Sequence, residues 1–197
     1  RRDAGKFESS VVELIFYWTT NVASITRIII VIHQRMSSPL SPRHRPPLQC
    51  FDGSPEIDKI TQGFVKHLDL STPVNLGVKF DWVVSLGVGA FLPAVSVDTF
   101  VENVARHAGV GIILSWGDAF RAVHGHDRNL HVAKKSSRTA EELRVQMRSL
   151  GFRYAAPATE QLRRAATFPW LKAQLLVFIR VDAAATTRTA EGDVDLY

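Results

Sequence analysis

Two aspartates follow short apolar runs at positions that suit nucleotide recognition. Asp52 ends the run LQCF and precedes Gly53, and Asp69 precedes Leu70 in the run VKHLDL. A carboxylate at a strand end can accept hydrogen bonds from both hydroxyls of a ribose, and an acid on the next strand can accept one from an adenine amino group. Either acid alone is as well explained by a turn or a helix N-cap, so the pair is the more specific signal.

A glycine-containing turn follows the next apolar run. Ser85 and Leu86 end the run FDWVVSL, and Gly87 and Gly89 lie in the GVGAFLP that follows. Glycines at such a place allow the backbone to approach a ligand closely. The alternative is a plain turn between a strand and a helix, because a GxG pattern by itself is a weak signal.

A histidine-containing segment raises the question of a metal hydrolase. The HxHxDH pattern of metallo-β-lactamase-like enzymes is not met, because Asp127 comes one residue early and Asn129 stands where the last histidine should be. His124 and His126 could chelate zinc, but a third protein ligand would have to be found. We therefore expect no metal site and a solvent-facing loop, with His124 and His126 as weak candidates for contact with an acceptor or for a general base.

These residues are placed by short apolar runs that alternate with amphipathic helical patterns. Such alternation is typical of an α/β fold with a parallel sheet and helices on both faces. Strands are predicted over 28–32, 48–52, 65–70, 80–86, 111–116, 152–156 and 174–181. Helices are predicted over 54–63, over 97–108 with Gly109 as the stop, after a Thr139–Glu142 capping box, and over 158–167. The result is a doubly wound, mostly parallel sheet, whose ligands bind at the carboxyl ends of the strands.

Several segments, in this order, resemble the S-adenosylmethionine-dependent methyltransferases of the Rossmann-like class. They are FDGSPEIDKIT, HLDL, KFDWVVSLGVGAFLP, FVENVARHAGVGIILSW, and MRSLGFRY with LLVFIR, and they span about two thirds of the chain, from Leu48 to Arg180. They are most similar to a small, poorly characterised group within that class. The resemblance implies a Rossmann-like methyltransferase fold with a final antiparallel strand. It also implies S-adenosylmethionine as the cofactor and an acceptor that the sequence does not identify.

The resemblance also assigns the cofactor site by position. Asp52, with Gly53 beside it, would hold the ribose, and Asp69 and Leu70 would flank the adenine. The stretch from Ser85 through Leu86 to Gly87 would lie near the methionine end. Because the sulfonium is already activated, methyl transfer depends mainly on holding the acceptor in line.

The N-terminal third departs from the family pattern. The family opens with a strand and a GxGxG loop under the cofactor, but this chain has no glycine between Gly5 and Gly53. Ile28–Ile32 can supply the first strand, and a proline-rich segment (35–48) then takes the position of the loop. Four prolines in that segment exclude a helix interior and a central strand there.

Two further departures concern polar side chains. The group's turn SLEVGEHIP has lost both acids and its histidine, because Gly87, Ala90 and Phe91 stand in their places. In that group a glycine-rich loop ends in His-Gly-His, and this chain keeps only that ending, at residues 124–126. Two functions therefore stay open, namely a methyltransferase of impaired activity and a catalytically inactive methyltransferase-like binding protein. A misjoined N-terminal third would also explain the first departure.

Length, composition and charge exclude several classes of protein. With 197 residues, 46% of them hydrophobic and 22% charged, the chain has globular usage, which argues against general disorder. A single cysteine, Cys50, excludes a disulfide framework and a multi-cysteine zinc site. The net charge of +5 is spread out, and its densest stretch, 35–45, is best explained as a solvated loop, so there is no strong nucleic-acid signal.

The most apolar stretch covers residues 11–34. Glu13 and Arg27 interrupt it, so we expect a buried helix through Ser24 and then a strand, with membrane contact through 11–34 as the less favoured alternative. The expected location is intracellular and cytoplasmic, with membrane association left open. The predicted organisation is an atypical N-terminal part (1–47), a methyltransferase-like domain (48–181) and a disordered tail (182–197).

Overall fold

The computed structural model describes residues 28–32, 48–89, 92–116 and 138–181. Four predicted features lie outside these residues. They are the helix before Ser24, the proline-rich segment up to residue 47, the loop that carries His124 and His126, and the tail after Val181.

A seven-stranded sheet forms the centre of the described part of the chain, in the order β3-β2-β1-β4-β5-β7-β6. Its strands are β1 (Ile28–Ile32), β2 (Leu48–Asp52), β3 (Val65–His67), β4 (Phe80–Leu86), β5 (Ala108–Ser115), β6 (Phe152–Tyr154) and β7 (Leu175–Arg180). The helices are α1 (Ile57–Ile60), α2 (Val97–His107), α3 (Ala140–Ser149), α4 (Ala156–Ala165) and α5 (Pro169–Gln174), and a 3₁₀ turn (Ala94–Ser96) precedes α2.

The directions of the strands make the sheet mostly parallel. β2 pairs with β3, and β4 with β5, in parallel. β7 is antiparallel to both β5 and β6, and β1 is antiparallel to both β2 and β4. Only β1 and β7 therefore run against the other strands of this sheet, and the predicted reversed strand near the end of the chain is β7. The α/β class with a mostly parallel sheet is confirmed.

The direction of β1 corrects one expectation from the sequence. Ile28 pairs with Leu86 at the end of β4, whereas Ile32 pairs with Leu48 at the beginning of β2. The chain therefore leaves β1 and enters β2 at the edge where β2 and β4 begin. β1 therefore ends at the edge opposite to Asp52, whereas the resemblance implies a first strand that ends beside it. The proline-rich segment predicted to take the place of the glycine loop lies outside the described residues up to residue 47.

The core lies on both faces of the sheet, because successive side chains of a strand point to opposite sides. One face packs against α2 and α3 through the buried side chains of Val83, Ile112, Leu114, Phe100, Leu143 and Met147. The other face packs against α4 and α5 through Trp82, Val84, Ile113, Val177, Leu162 and Leu171. Since helices cover both faces, the predicted doubly wound arrangement is confirmed.

The helix predicted after Ser54 is much shorter than its apolar spacing suggests. Only one turn forms, because Glu56 has a left-handed backbone (φ 61°) and Gln62 has another (φ 53°). Ser54 does not cap it, since α1 has no side-chain cap. Ile57 is buried, but Ile60 is 75% and Phe64 is 58% exposed, so the predicted apolar face covers the core only at its first position.

The boundary between α2 and β5 also differs from the prediction. α2 ends at His107 and β5 begins at Ala108, so Gly109 lies in a strand and does not end a helix. The Arg180 guanidinium accounts for this abrupt change, because it donates hydrogen bonds to the Ala105 and Ala108 carbonyls at 2.9 and 2.6 Å.

The capping box of α3 is confirmed, with the Glu142 N–H donating to the Thr139 hydroxyl and the Thr139 N–H to the Glu142 carboxylate.

Candidate functional site

A cleft of about 250 Å³ opens where β2 and β3 end and where the turn after β4 begins. Four of the seven predicted cofactor residues line it, namely Asp52, Gly53, Asp69 and Leu70. Because β2 and β3 are parallel neighbours, their carboxyl ends meet at one edge of the sheet, which brings the two carboxylates to the same cleft. Sequence reasoning missed the six further lining residues as site residues, namely Ser54, Pro55, Leu68, Ser71, Val88 and Leu92.

Asp52 is buried at the end of β2, with 5% of its surface exposed. Its Oδ1 atom accepts a hydrogen bond from the Ser54 N–H at 2.6 Å, and its backbone carbonyl accepts one from the Leu68 N–H at 2.9 Å. Asp52 is therefore a turn aspartate, which is the alternative explanation that the sequence left open. A carboxylate has about four acceptor positions, so the turn leaves capacity for a ligand's hydroxyl groups.

Asp69 sits in an exposed turn just beyond β3. Its Oδ1 atom accepts a hydrogen bond from the Ser71 N–H at 2.9 Å. Hydrogen bonds from the Ser71 side chain and backbone lower the pKa of Asp69, and the nearby His67 lowers it further. Asp69 is thus held as an ionised acceptor at the mouth of the cleft.

The predicted residues Ser85, Leu86 and Gly87 are not in the lining of this cleft. Gly87 has a left-handed backbone (φ 73°), and its N–H donates to the Ser115 hydroxyl at 2.7 Å, which fastens the turn to the end of β5. Ser85 is 1% exposed, and its hydroxyl has no hydrogen-bond partner among the residues described. The role of these three residues near a methionine group stays a prediction.

The remaining lining is mostly apolar. Val88 and Leu92 come from the turn after β4, and Leu68 and Leu70 come from the end of β3. Apolar walls with two acceptor carboxylates suit a flat heteroaromatic ring with an amino donor, joined to a sugar with hydroxyl donors, as in a nucleoside. Ligand pockets usually measure about 300–1,000 Å³, so the described cleft matches part of a nucleotide-sized cofactor.

Three other features of the sequence can be placed. Cys50 is a free, buried cysteine, and burial raises the pKa of its thiol to about 12. Trp116 is buried in the core, and Trp170 is half-buried. Among the residues described, no group of three histidine, cysteine, aspartate or glutamate side chains could hold a metal ion. No helix within those same ranges has the length and apolar character to cross a membrane.

Comparison with known proteins does not assign this chain to a family. No protein-family model matches the sequence, and no curated protein matches it. One solved structure similar to this chain is magnesium protoporphyrin IX methyltransferase (ChlM) from Synechocystis PCC 6803, with bound SAH. The two are 18% identical, with a TM-score of 0.39, over 59% of this chain and 51% of that one. The match thus spans about half the length of the solved protein.

Proposed function

We propose that this chain binds S-adenosylmethionine, with the nucleoside of the cofactor in the cleft at the ends of β2 and β3, and that it is a methyltransferase. The observation that carries the proposal is the meeting of Asp52 and Asp69 at one cleft, at the carboxyl ends of two parallel neighbouring strands. The order of the segments that resemble the methyltransferase class and the reversed strand β7 support it.

The residues of the cleft fit the nucleoside of this cofactor. The buried Asp52 carboxylate can accept hydrogen bonds from both hydroxyls of the ribose while its Oδ1 keeps the Ser54 N–H. Asp69, whose pKa is lowered by Ser71, supplies an ionised acceptor for the adenine amino group. Val88 and Leu92 offer apolar contact to the faces of the base.

When bound, the cofactor supplies an electrophilic methyl group on a sulfonium. Asp52 and Asp69 would hold its nucleoside, and the cofactor would supply the methyl group to a lone pair of the acceptor and leave as a neutral thioether, while the acceptor's proton would pass to a base. The part of the chain in this scheme is to fix the nucleoside, so that the methyl group points at the acceptor. His124 and His126 stay predictions for the group that takes the proton.

A second candidate is a catalytically inactive methyltransferase-like binding protein. The direction of β1 favours it, because the carboxyl end of this strand lies at the edge away from Asp52. The strand that precedes the glycine loop in this class therefore does not end beside the cleft in this chain. In this alternative the cleft still binds a nucleoside, but no methyl transfer follows.

The test is a thermal-shift and calorimetric titration of the full chain with S-adenosylhomocysteine. At about 100 times the dissociation constant, a real site adds ~2.7 kcal/mol, or roughly 5 to 10 °C in melting temperature. Adenosine should compete for the site and homocysteine should not. A cooperative melt without any shift contradicts the proposal. Binding without conversion of S-adenosylmethionine across small-molecule, protein and RNA acceptor mixtures favours the inactive alternative.

A further inference from the structure

The wall of the cleft beside Asp69 belongs to an irregular segment between β3 and β4, here called the 70–76 loop (residues 70–76). Leu70 and Ser71 of this loop line the cleft, and the Ser71 N–H holds the Asp69 carboxylate. The segment has no regular secondary structure, so its position depends on contacts with another element. That element is α2, and the contacts come from its polar side chains.

Asn103 makes the central contacts. It is 1% exposed, and its Oδ1 accepts a hydrogen bond from the Val74 N–H at 2.9 Å. Its Nδ2 donates to the Leu70 carbonyl at 3.2 Å and to the Thr72 carbonyl at 2.7 Å. One amide therefore satisfies a donor and two acceptors of the loop, and only this orientation of the amide serves all three.

Two neighbours on α2 extend this attachment. The His107 Nδ1 atom lies 2.7 Å from the Asn103 carbonyl, and its Nε2 accepts a hydrogen bond from the Leu76 N–H at 2.9 Å. Both contacts together require the neutral ring with its proton on Nδ1. Arg106 lies on the exposed side and donates to the Val74 carbonyl at 2.7 Å.

We propose that Asn103, supported by Arg106, is a positioning residue that sets the base specificity of the cleft, an inference that rests on the proposed function. Asn103 does not line the cleft itself. It fixes the backbone of Leu70 and Thr72 on either side of Ser71, and Ser71 in turn orients Asp69. Without the Asn103 amide the loop loses three hydrogen bonds to α2, two of them at Leu70 and Thr72 beside Ser71, so that Asp69 is held less firmly against an adenine amino group. A positioning role therefore predicts a loss of selectivity for adenine, whereas a merely structural role predicts a loss of stability alone.

The experiment compares two ligands in three variants. S-adenosylhomocysteine carries the amino group that Asp69 would accept from, and its hypoxanthine analogue, S-inosylhomocysteine, carries an oxygen there. Dissociation constants are measured for the wild type, Asn103→Ala, Arg106→Ala and Glu102→Ala. Glu102 is an exposed residue of the same helix and serves as the matched control. Arg106→Ala removes an exposed side chain that donates to the Val74 carbonyl and, at 3.5 Å, to the Asn103 Oδ1, and it keeps the test valid should Asn103→Ala fail to fold.

The wild type should prefer the adenine ligand. Asn103→Ala should weaken its binding roughly tenfold or more, and the preference over the hypoxanthine ligand should shrink. Arg106→Ala should lower the affinity for the adenine ligand and the preference for it by about two- to threefold. Glu102→Ala should change neither the affinity nor the preference. Amide hydrogen exchange of residues 70–76 should be faster in Asn103→Ala and Arg106→Ala than in the wild type.

Two outcomes overturn the inference, and they can be told apart. If the wild type binds neither ligand, the proposed function fails and the positioning role fails with it. If the wild type binds and prefers adenine, but the folded variants keep that preference, only the positioning role is wrong and Asn103 serves stability alone.

Discussion

The indole ring of Trp116 lies directly against Gly89, so closely that a Cβ atom at position 89 would collide with the six-membered part of the ring. The same ring is stacked on Phe100, with 6.5 Å between centroids, and its Nε1–H donates to the Arg138 carbonyl at 3.0 Å. Trp116 thus joins the turn after β4, helix α2 and the residue before the α3 capping box. Gly89 is required there for space, and it has no positive φ.

Gly89→Ala should therefore destabilise the fold by about 1–3 kcal/mol, because overpacking forces either the ring or the backbone to move. Urea unfolding measures the effect. Gly53→Ala is the matched control, since the nearest atom to a Cβ there is the Leu68 carbonyl oxygen at an ordinary 3.7 Å. If both variants are as stable as the wild type, the close packing of Trp116 on Gly89 is wrong.

A second prediction concerns Arg180, which ties the end of β7 to the junction of α2 and β5. Its guanidinium donates to the Ala105 and Ala108 carbonyls and lies over the Phe152 ring, 4.3 Å from the centroid. Arg180→Ala should lower the free energy of unfolding by about 2–3 kcal/mol, because the junction carbonyls lose a charged donor. Arg180→Lys should lose about half as much, since an ammonium cannot bridge both carbonyls with a planar fork.

The control for Arg180 is Arg153→Ala, an exposed arginine on β6. A surface substitution of this kind should stay within about 0.5 kcal/mol of the wild type. Equal stability of Arg180→Ala and Arg153→Ala in denaturant titrations would show that the junction does not depend on the guanidinium.

Local signals in the sequence were sufficient for several elements. The contiguous run FDWVVSL predicts β4 with its observed bounds, Phe80–Leu86, and four residues are enough to predict the capping box at Thr139. The joint position of Asp52 and Asp69 was also predictable, because carboxyl ends of parallel neighbours share an edge. In each case the decisive information lies within a few residues, or follows from the parallel pairing alone.

Other features depend on contacts that no local pattern contains. The bounds of β1 were predicted, but its direction was not, because the same five apolar residues pair equally well either way. Helix α5 was missed because it has only six residues, with polar Lys172 and Gln174 among them. Asn103 and His107 were missed as site residues because they lie on the buried stripe of α2. The signal for them was a pair of polar side chains, four residues apart, at positions where the helix is otherwise apolar.

The candidate role of Asp52 gives a third prediction. Asp52→Asn should weaken binding of S-adenosylhomocysteine at least tenfold, a loss of ~1.4 kcal/mol or more, because a neutral amide offers one acceptor oxygen where the carboxylate offers two. The amide oxygen can still accept from the Ser54 N–H, so the turn should survive. Isothermal titration calorimetry gives the dissociation constants, and a thermal melt verifies the fold.

Asp81→Asn is the control for this substitution. Asp81 lies at the beginning of β4, at the edge of the sheet away from the cleft, so its change should leave the affinity as it was. An unchanged affinity in Asp52→Asn, with a wild-type melt, would remove Asp52 from the site.

The last prediction uses Cys50, the single cysteine of the chain, which is 3% exposed on β2. Burial raises the pKa of its thiol from 9.0 to about 12, so the folded state keeps the thiol neutral and unreactive. The native protein should react slowly with a disulfide reagent at pH 8, at the rate at which the sheet opens, and fast in urea. Immediate reaction of native protein would contradict the burial of Cys50.

The raised pKa of the Cys50 thiol also predicts how the free energy of unfolding depends on pH. Because the folded pKa is raised, the contribution of the neutral thiol to stability is complete below pH 9 and is lost as the pH rises from 9 towards 12. Between pH 8 and 10.5 the wild type should lose at most about 2 kcal/mol more than Cys50→Val does, since valine has no proton to release. Urea titrations of both proteins at the two pH values measure this difference. Parallel losses in the two proteins would show that the thiol ionises equally in the folded and unfolded states, and would contradict the raised pKa of Cys50.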